Sequence, residues 1–127
     1  MTKIAIVSDD HETISAHFGR ALFYEIFTIE AGKVIERKTH TRSSEQLAGM
    51  HGQHNQNGDG HHQHDHNAMI DPISDCQVLV AGGMGMGAHI SLKEHGIQPV
   101  ITEIGEIQAA VKAFLAGTLL DHPERLH

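Results

Sequence analysis

The chain has 127 residues and a formal net charge of −7 with its histidines counted as neutral. This length predicts a single domain, because two separate halves would each be too small to bury a stable core. Lysine and arginine form no block or stripe, which argues against a nucleic-acid partner. The single cysteine excludes an intrachain disulfide. The single cysteine also fits a reducing compartment, and we find no secretory signal or long apolar span. We therefore expect a cytoplasmic protein without membrane segments.

The first part of the chain predicts three strands. Ile4 to Val7 is a continuous apolar run, typical of a strand buried on both faces, and it ends in the polar segment Ser8-Asp9-Asp10. Phe23 to Ile29 and Val34 to Lys38 are rich in β-forming residues and are separated by a short connection that contains Gly32. This pattern predicts an antiparallel hairpin.

The second part predicts alternating strands and helices. Gln77 to Ala81 is another buried strand, a helix runs from about Ala88 to His95, and Pro99 to Thr102 is a short strand. The apolar spacing from Ile107 to Leu115 predicts a final amphipathic helix, with Gly117 as its cap. The expected fold class is therefore α/β, with a five-stranded mixed sheet and flanking helices.

Two polar segments stand apart from this pattern. A histidine-rich insertion occupies about residues 40–67 of the single domain expected over residues 1–127, and we expect residues 118–127 to form a mobile tail. The insertion offers imidazoles that suit zinc, nickel, copper or iron. These are His51, His54, His61, His62, His64 and His66. Their spacing matches no fixed site, so both specific metal binding and incidental affinity of a polar insertion stay open.

A glycine-rich stretch from Gly82 to Gly87 follows the fourth predicted strand and precedes a helix. It can be aligned with a dinucleotide-binding loop, but too few residues follow for a second nucleotide-binding half. Closely spaced backbone N–H groups at a helix N-terminus would also suit an anion. Met84 and Met86 add thioethers, and His89 adds an imidazole. Alternatively, the glycines only permit close packing and the methionines fill the core.

Other candidate residues flank these strands. His17, beside a glycine, is either a cofactor ligand on a turn or a capping residue. Cys76 directly precedes the fourth strand and is either a buried packing residue or a soft thiolate ligand. Asp9 and Asp10 could hold a divalent ion in a hydrolase. We rank that reading last, because no nucleophile and base pair is recognisable and such aspartates often only form loops.

Five segments together resemble the dinitrogenase iron–molybdenum cofactor biosynthesis family, which includes nitrogenase accessory proteins and small stand-alone members of the orange-protein type. The segments are Ile4 to Asp9, Ser15 to Ala21, Asp75 to Ala81, Gly82 to Ala88 and Gly96 to Val100. The resemblance implies a ribonuclease H-like fold. It also implies a non-catalytic protein that carries an anionic metal–sulfur cluster, of iron–sulfur, iron–molybdenum or molybdenum–copper type, between donor and acceptor proteins.

The resemblance also implies where the cluster binds, namely between the loop of residues 9–20 and the loop of residues 82–89. The implied cofactor-binding residues are His17, Gly19, Arg20, Gly83, Met84, Gly85, Met86 and Gly87, and the implied metal ligands are Cys76 and His89. The alternative function is a buffer or sensor for zinc, nickel or copper that uses the histidine-rich insertion. The sequence leaves the metal, the cluster nuclearity, the delivery partner and the oligomeric state open.

Overall fold

The computed structural model describes residues 2–42, 70–122 and 124, which form a mixed sheet of five strands covered by helices. The strands are β1 (Thr2–Ser8), β2 (Phe23–Glu30), β3 (Lys33–Thr41), β4 (Val78–Ala81) and β5 (Gln98–Ile101). The α-helices are α1 (Met86–Glu94) and α2 (Ile107–Ala116), and short 3-10 turns span Phe18–Arg20 and Asp71–Ile73. The predicted α/β class and five-stranded mixed sheet are confirmed.

The strand order across the sheet is β3-β2-β1-β4-β5. β1 and β3 each run antiparallel to β2, whereas β1, β4 and β5 run parallel to one another. The antiparallel hairpin and the parallel βαβ unit therefore lie on opposite sides of β1, as expected. Because parallel strands end at the same edge of the sheet, the loops that follow β1 and β4 are brought side by side.

The central strand β1 is buried on both faces, which explains its continuous apolar run, whereas β3 at the edge of the sheet is mostly exposed. Ala5 and Val7 belong to one core cluster, which also contains Leu92 of α1. Ile4 and Ile6 belong to the other, which contains Ile107, Ala110 and Val111 of α2. Alternate side chains of a strand point to opposite faces, so each half of the run packs under a different helix.

Local turn chemistry explains where the elements end. The hairpin turns at Ala31 and Gly32, whose φ angles of 53° and 75° are those of a two-residue turn matching the twist of the strands. Gly117 ends α2 in the left-handed conformation with φ of 74°, as the sequence predicts. Helix α1 begins at Met86, two residues before the expected start. Neither helix is long and apolar enough to cross a membrane.

The chain after α2 is attached to the end of β5. The Asp121 carboxylate accepts a hydrogen bond from the Ile101 N–H at 2.9 Å, and the His122 N–H donates to the Ile101 carbonyl at 2.8 Å. The expectation of a mobile tail is therefore wrong for these two residues. Their contact with β5 is a long-range pairing, which composition and local pattern do not reveal.

Candidate functional site

Two backbone hydrogen bonds join the loops that follow β1 and β4. The Gly82 N–H donates to the Ser15 carbonyl at 2.8 Å, and the Phe18 N–H donates to the Gly83 carbonyl at 3.0 Å. A Cβ at Gly82 would lie 3.1 Å from the Ala16 Cα and 3.1 Å from the Ser15 oxygen. Glycine at this position therefore lets the two loops cross in direct contact, and they present one continuous surface.

The first loop carries a 3-10 turn that exposes two polar side chains. The His17 carbonyl accepts hydrogen bonds from the Arg20 N–H at 3.0 Å and the Ala21 N–H at 3.1 Å. Phe18, at 1% exposure, anchors the turn in the core, whereas the His17 and Arg20 side chains are exposed and Gly19 is half-buried. The turn thus offers an imidazole and a guanidinium to a ligand.

The second loop leads into the N-terminus of α1. Gly85 is the N-cap of this helix, so no side chain caps the first turn. Such backbone N–H groups and the positive end of the helix dipole attract anions. Gly85 is half-buried and Gly87 is exposed, so their backbone forms part of this surface, whereas Gly83 is buried beneath it.

The thioethers and the imidazole of the second loop have different surroundings. Met84 is 2% exposed and belongs to the core cluster under α1, whereas Met86 is 51% exposed. His89 lies in the first turn of α1, half-buried, with its N–H bonded to the Gly85 carbonyl at 3.1 Å. Only the Met86 thioether and the His89 imidazole lie where a surface ligand could reach them.

Cys76 is not brought to this surface. It lies at the amino end of β4, and the two loops lie beyond the carboxyl ends of β1 and β4. The six residue steps of extended chain from Cys76 to Gly82 correspond to roughly 20 Å. Cys76 is 3% exposed, and burial raises the pKa of its thiol to about 12. An enclosed thiol at the amino end of β4 lies too far from His17 for both to contact one small ligand.

The aspartates after β1 organise the loop. Asp10 Oδ1 accepts hydrogen bonds from the backbone N–H groups of Glu12 at 2.9 Å and Thr13 at 2.7 Å, which hold the pKa of its carboxyl at about 2. Asp9 Oδ1 accepts a hydrogen bond from the Leu22 N–H at 3.0 Å. The Asp10 carboxylate thus forms the local turn, as the loop-forming alternative expects, whereas the Asp9 carboxylate ties the loop to the start of the hairpin.

Arg42 supports the first loop from inside, and sequence reasoning missed it. It is 3% exposed, and its Nη1 donates to the carbonyls of Phe18 at 2.6 Å and Ala21 at 2.9 Å. The guanidinium also lies over the rings of Phe18, at 5.6 Å, and Tyr24, at 5.0 Å. Burial lowers the pKa of Arg42. No motif marks this arginine in the sequence, because its partners lie more than 20 residues away.

A second polar network lies near the carboxyl end of β1, on the face of the sheet that α2 covers. Glu25 has no exposed side-chain surface, and it binds His11 Nδ1 at 2.7 Å, Thr39 Oγ1 at 2.8 Å and Arg37 Nε at 3.2 Å. Beside it is a cavity of about 250 Å³. The cavity is lined by His11, Glu12, Arg37, Glu106, Ile107 and Gln108. A glutamate within a strand gave no signal for this network in the sequence.

The histidine-rich insertion cannot be placed relative to these loops. His51, His54, His61, His62, His64 and His66 all lie outside the described residues. Within the described part of the chain, Glu103, His122 and Glu124 form a group whose potential ligand atoms lie within 4.8 Å of one another. This group is a possible site for a divalent cation at the end of β5.

Fold and site together define a small α/β domain with a binding surface built from two touching loops at one edge of its sheet. The profile of the dinitrogenase iron–molybdenum cofactor family matches residues 1–117, and the chain therefore belongs to this family. The resemblance found in the sequence is confirmed. No curated protein sequence matches the chain.

Solved structures share this fold over nearly the whole chain. The apo orange protein from Desulfovibrio gigas is 18% identical, with a TM-score of 0.67 over 96% of this chain and 93% of that one. A Thermotoga protein described as a candidate NifB protein is 26% identical, with a TM-score of 0.62 over 95% and 93%. A candidate dinitrogenase from Methanocaldococcus jannaschii is 14% identical, with a TM-score of 0.66 over 94% and 93%.

Proposed function

We propose that this protein is a non-catalytic carrier of an anionic metal–sulfur cluster of iron–sulfur, iron–molybdenum or molybdenum–copper type. The proposed site is the surface formed by the loops of residues 15–21 and 82–89. The observation that carries this proposal is the pair of backbone hydrogen bonds between these loops, next to the uncapped N-terminus of α1. Membership of the iron–molybdenum cofactor family supports a cofactor-related role.

The chemistry of the surface suits a sulfur-rich anion. Sulfide-bridged clusters are negatively charged, so the N–H groups of the α1 terminus and the Arg20 side chain would complement them. The His17 and His89 imidazoles and the Met86 thioether would supply direct or outer contacts to metal or sulfide. The backbone would approach the ligand closely at Gly19, Gly85 and Gly87, and the buried Gly83 would hold the two loops together through its bond to Phe18. Met84 and Cys76 would act from the core by packing.

The proposal also covers the compartment, the partner proteins and the fold type of the carrier. We place it in the cytoplasm, where it would receive its cluster from a donor protein and deliver it to an acceptor. The exposed positions of His17, Arg20 and Met86 support such a transfer, because an acceptor could approach them directly. We also assign the fold to the ribonuclease H-like type, supported by an antiparallel β3-β2-β1 unit followed by the parallel strands β4 and β5.

A second candidate function is a divalent-metal buffer or sensor for zinc, nickel or copper. The six histidines between residues 51 and 66 would provide most of its ligands. The group formed by Glu103, His122 and Glu124 specifically favours this candidate, because an imidazole and two carboxylates are a common donor set for such ions.

Anaerobic reconstitution tests both functions. The full chain and a variant lacking residues 51–66 are incubated with iron and sulfide, or with tetrathiomolybdate and copper, and then desalted. The carrier proposal expects sulfide-to-metal absorption bands that elute with both proteins. If neither protein retains colour, the carrier proposal is wrong. If the deletion also abolishes uptake of zinc, nickel and copper, the buffer function gains support.

Substitutions locate the site. His17→Ala should weaken cluster retention in the full chain, because it removes an exposed donor from the proposed surface. His95→Ala is the matched control, since His95 is also exposed but lies at the far end of α1. Equal loss of colour in both variants would contradict the proposed location.

A further inference from the structure

The surroundings of Arg42 are unusual for a buried cation. Within the described residues, no carboxylate lies within 4.0 Å of its guanidinium, and the Asp9 carboxylate acts on it only from a longer distance. Its buried Nε has no hydrogen-bond partner. Its acceptors are backbone carbonyls of the His17–Ala21 turn, and its other neighbours are the rings of Phe18 and Tyr24. Buried charges in proteins are normally paired, because removing an ion from water is costly.

A structural role alone accounts for only part of this arrangement. Backbone carbonyl oxygens, here those of Phe18, Ala21 and, at 3.5 Å, Gly19, can be satisfied by neutral donors, which would not carry the desolvation cost of a charge. A cation becomes favourable here when negative charge lies on the other side of the turn. The turn is only one layer of backbone, with Arg42 bonded to its inner side and Arg20 exposed to solvent.

We infer that Arg42 is a positioning residue for the proposed ligand: it fixes the His17–Ala21 turn through its carbonyls and supplies a buried countercharge beneath it. This inference rests on the proposed carrier function and narrows it. The site should select sulfur-rich anions by their charge, with a higher affinity for a dianion than for a monoanion of the same shape. Exposed Arg20 cannot give the same selectivity in high salt, because solvent ions screen exposed charges much more than buried ones.

Two tetrahedral probes separate charge from shape. Tetrathiomolybdate is a dianion and tetrathiorhenate is a monoanion, and both absorb visible light, so their dissociation constants can be measured by spectral titration. In about 1 M salt, where the screening length falls to about 3 Å, we expect the full chain to bind the dianion about tenfold more tightly. Equal affinities for the two probes in the unaltered protein would overturn the inference.

Variants then assign the selectivity to Arg42. Arg42→Gln keeps a donor for the carbonyls but removes the charge, so the dianion should lose about tenfold more affinity than the monoanion. Arg42→Lys keeps the charge but not the planar fork, so both probes should bind more weakly while their ratio is retained. Lys33→Met is the control, since it removes an equal charge from the exposed hairpin end.

The outcomes distinguish this inference from the function on which it rests. If the unaltered chain retains a reconstituted cluster but binds neither probe, this inference fails and the carrier proposal stands. If it retains no cluster and binds neither probe, both fail. If it prefers the dianion but Arg42→Gln weakens both probes by the same factor, Arg42 is only structural and the inference fails. Circular dichroism establishes that each variant is folded. Equal affinities of the unaltered chain for the two probes would overturn the inference even if a variant does not fold.

Discussion

Replacing Glu25 with glutamine tests how much the buried network beside β2 stabilises the domain. The carboxylate has no exposed surface, whereas the side chains of His11 and Arg37 are 48% and 34% exposed. Breaking a fully buried ion pair costs about 3–5 kcal/mol. Because His11 and Arg37 can regain water when the charge is removed, we expect a smaller loss of about 2 kcal/mol in the free energy of unfolding near pH 7.

The effect should depend on pH in a defined direction. Burial raises the pKa of Glu25, but hydrogen bonds from His11, Thr39 and Arg37 outweigh burial, and the net pKa is lowered. The folded state therefore binds this proton less readily than the unfolded state, whose glutamate pKa is about 4.3. The stabilisation is fully present above that value and is lost as the pH falls through the lower pKa of the folded state.

Urea unfolding, followed by circular dichroism, measures this effect at several pH values. The difference between the unaltered protein and Glu25→Gln should be largest near neutrality and should shrink under acid conditions. Glu30→Gln is the matched control, because Glu30 lies on the same strand but is exposed. A Glu25→Gln variant as stable as the control near pH 7, or a difference that does not shrink in acid, would refute the reasoning.

Three further predictions follow from local geometry. Gly82→Ala should lower the free energy of unfolding by about 1 kcal/mol in urea titrations, since the added Cβ presses on the Ala16 backbone, whereas Gly105→Ala, with open space around it, should not. Cys76 should resist iodoacetamide in the folded protein and react only in urea, as followed by mass spectrometry, because burial raises its pKa to about 12. Ala31→Gly should raise the free energy of unfolding by about 0.5 kcal/mol, and with it the urea midpoint, because it relieves a left-handed conformation with φ of 53°. An unchanged midpoint would argue against strain there.

The sheet was predictable from the sequence because its determinants are local. The apolar run Ile4 to Val7, the two-residue turn at Ala31 and Gly32, and the spacing from Ile107 to Val111 each specify a structure within a few neighbouring residues. The two parallel strands then require their following loops to share one edge. The proximity of the two proposed binding loops could therefore be expected before any contact was known.

The rest depends on contacts between distant segments. The pairing of Asp121 and His122 with β5 and the bonds from Arg42 to the 3-10 turn join parts of the chain about 20 residues apart. No local pattern encodes them. For the same reason, the pattern gave Met84 and Met86 equal weight, although only Met86 lies at the surface. Met84 precedes α1 and packs in the core cluster, whereas Met86 is the first residue of the helix and is exposed.

The location of the single cysteine bears on how tightly a cluster would be held. A thiolate is the soft ligand that retains iron and copper most firmly, but Cys76 is buried far from the proposed surface, and burial raises the pKa of its thiol to about 12. Binding would then depend on backbone N–H groups, on the charges of Arg20 and Arg42, and on His17. Contacts of this kind break without exchange of a metal–thiolate bond. A surface built in this way favours release to an acceptor over permanent storage, which is the property that a carrier requires.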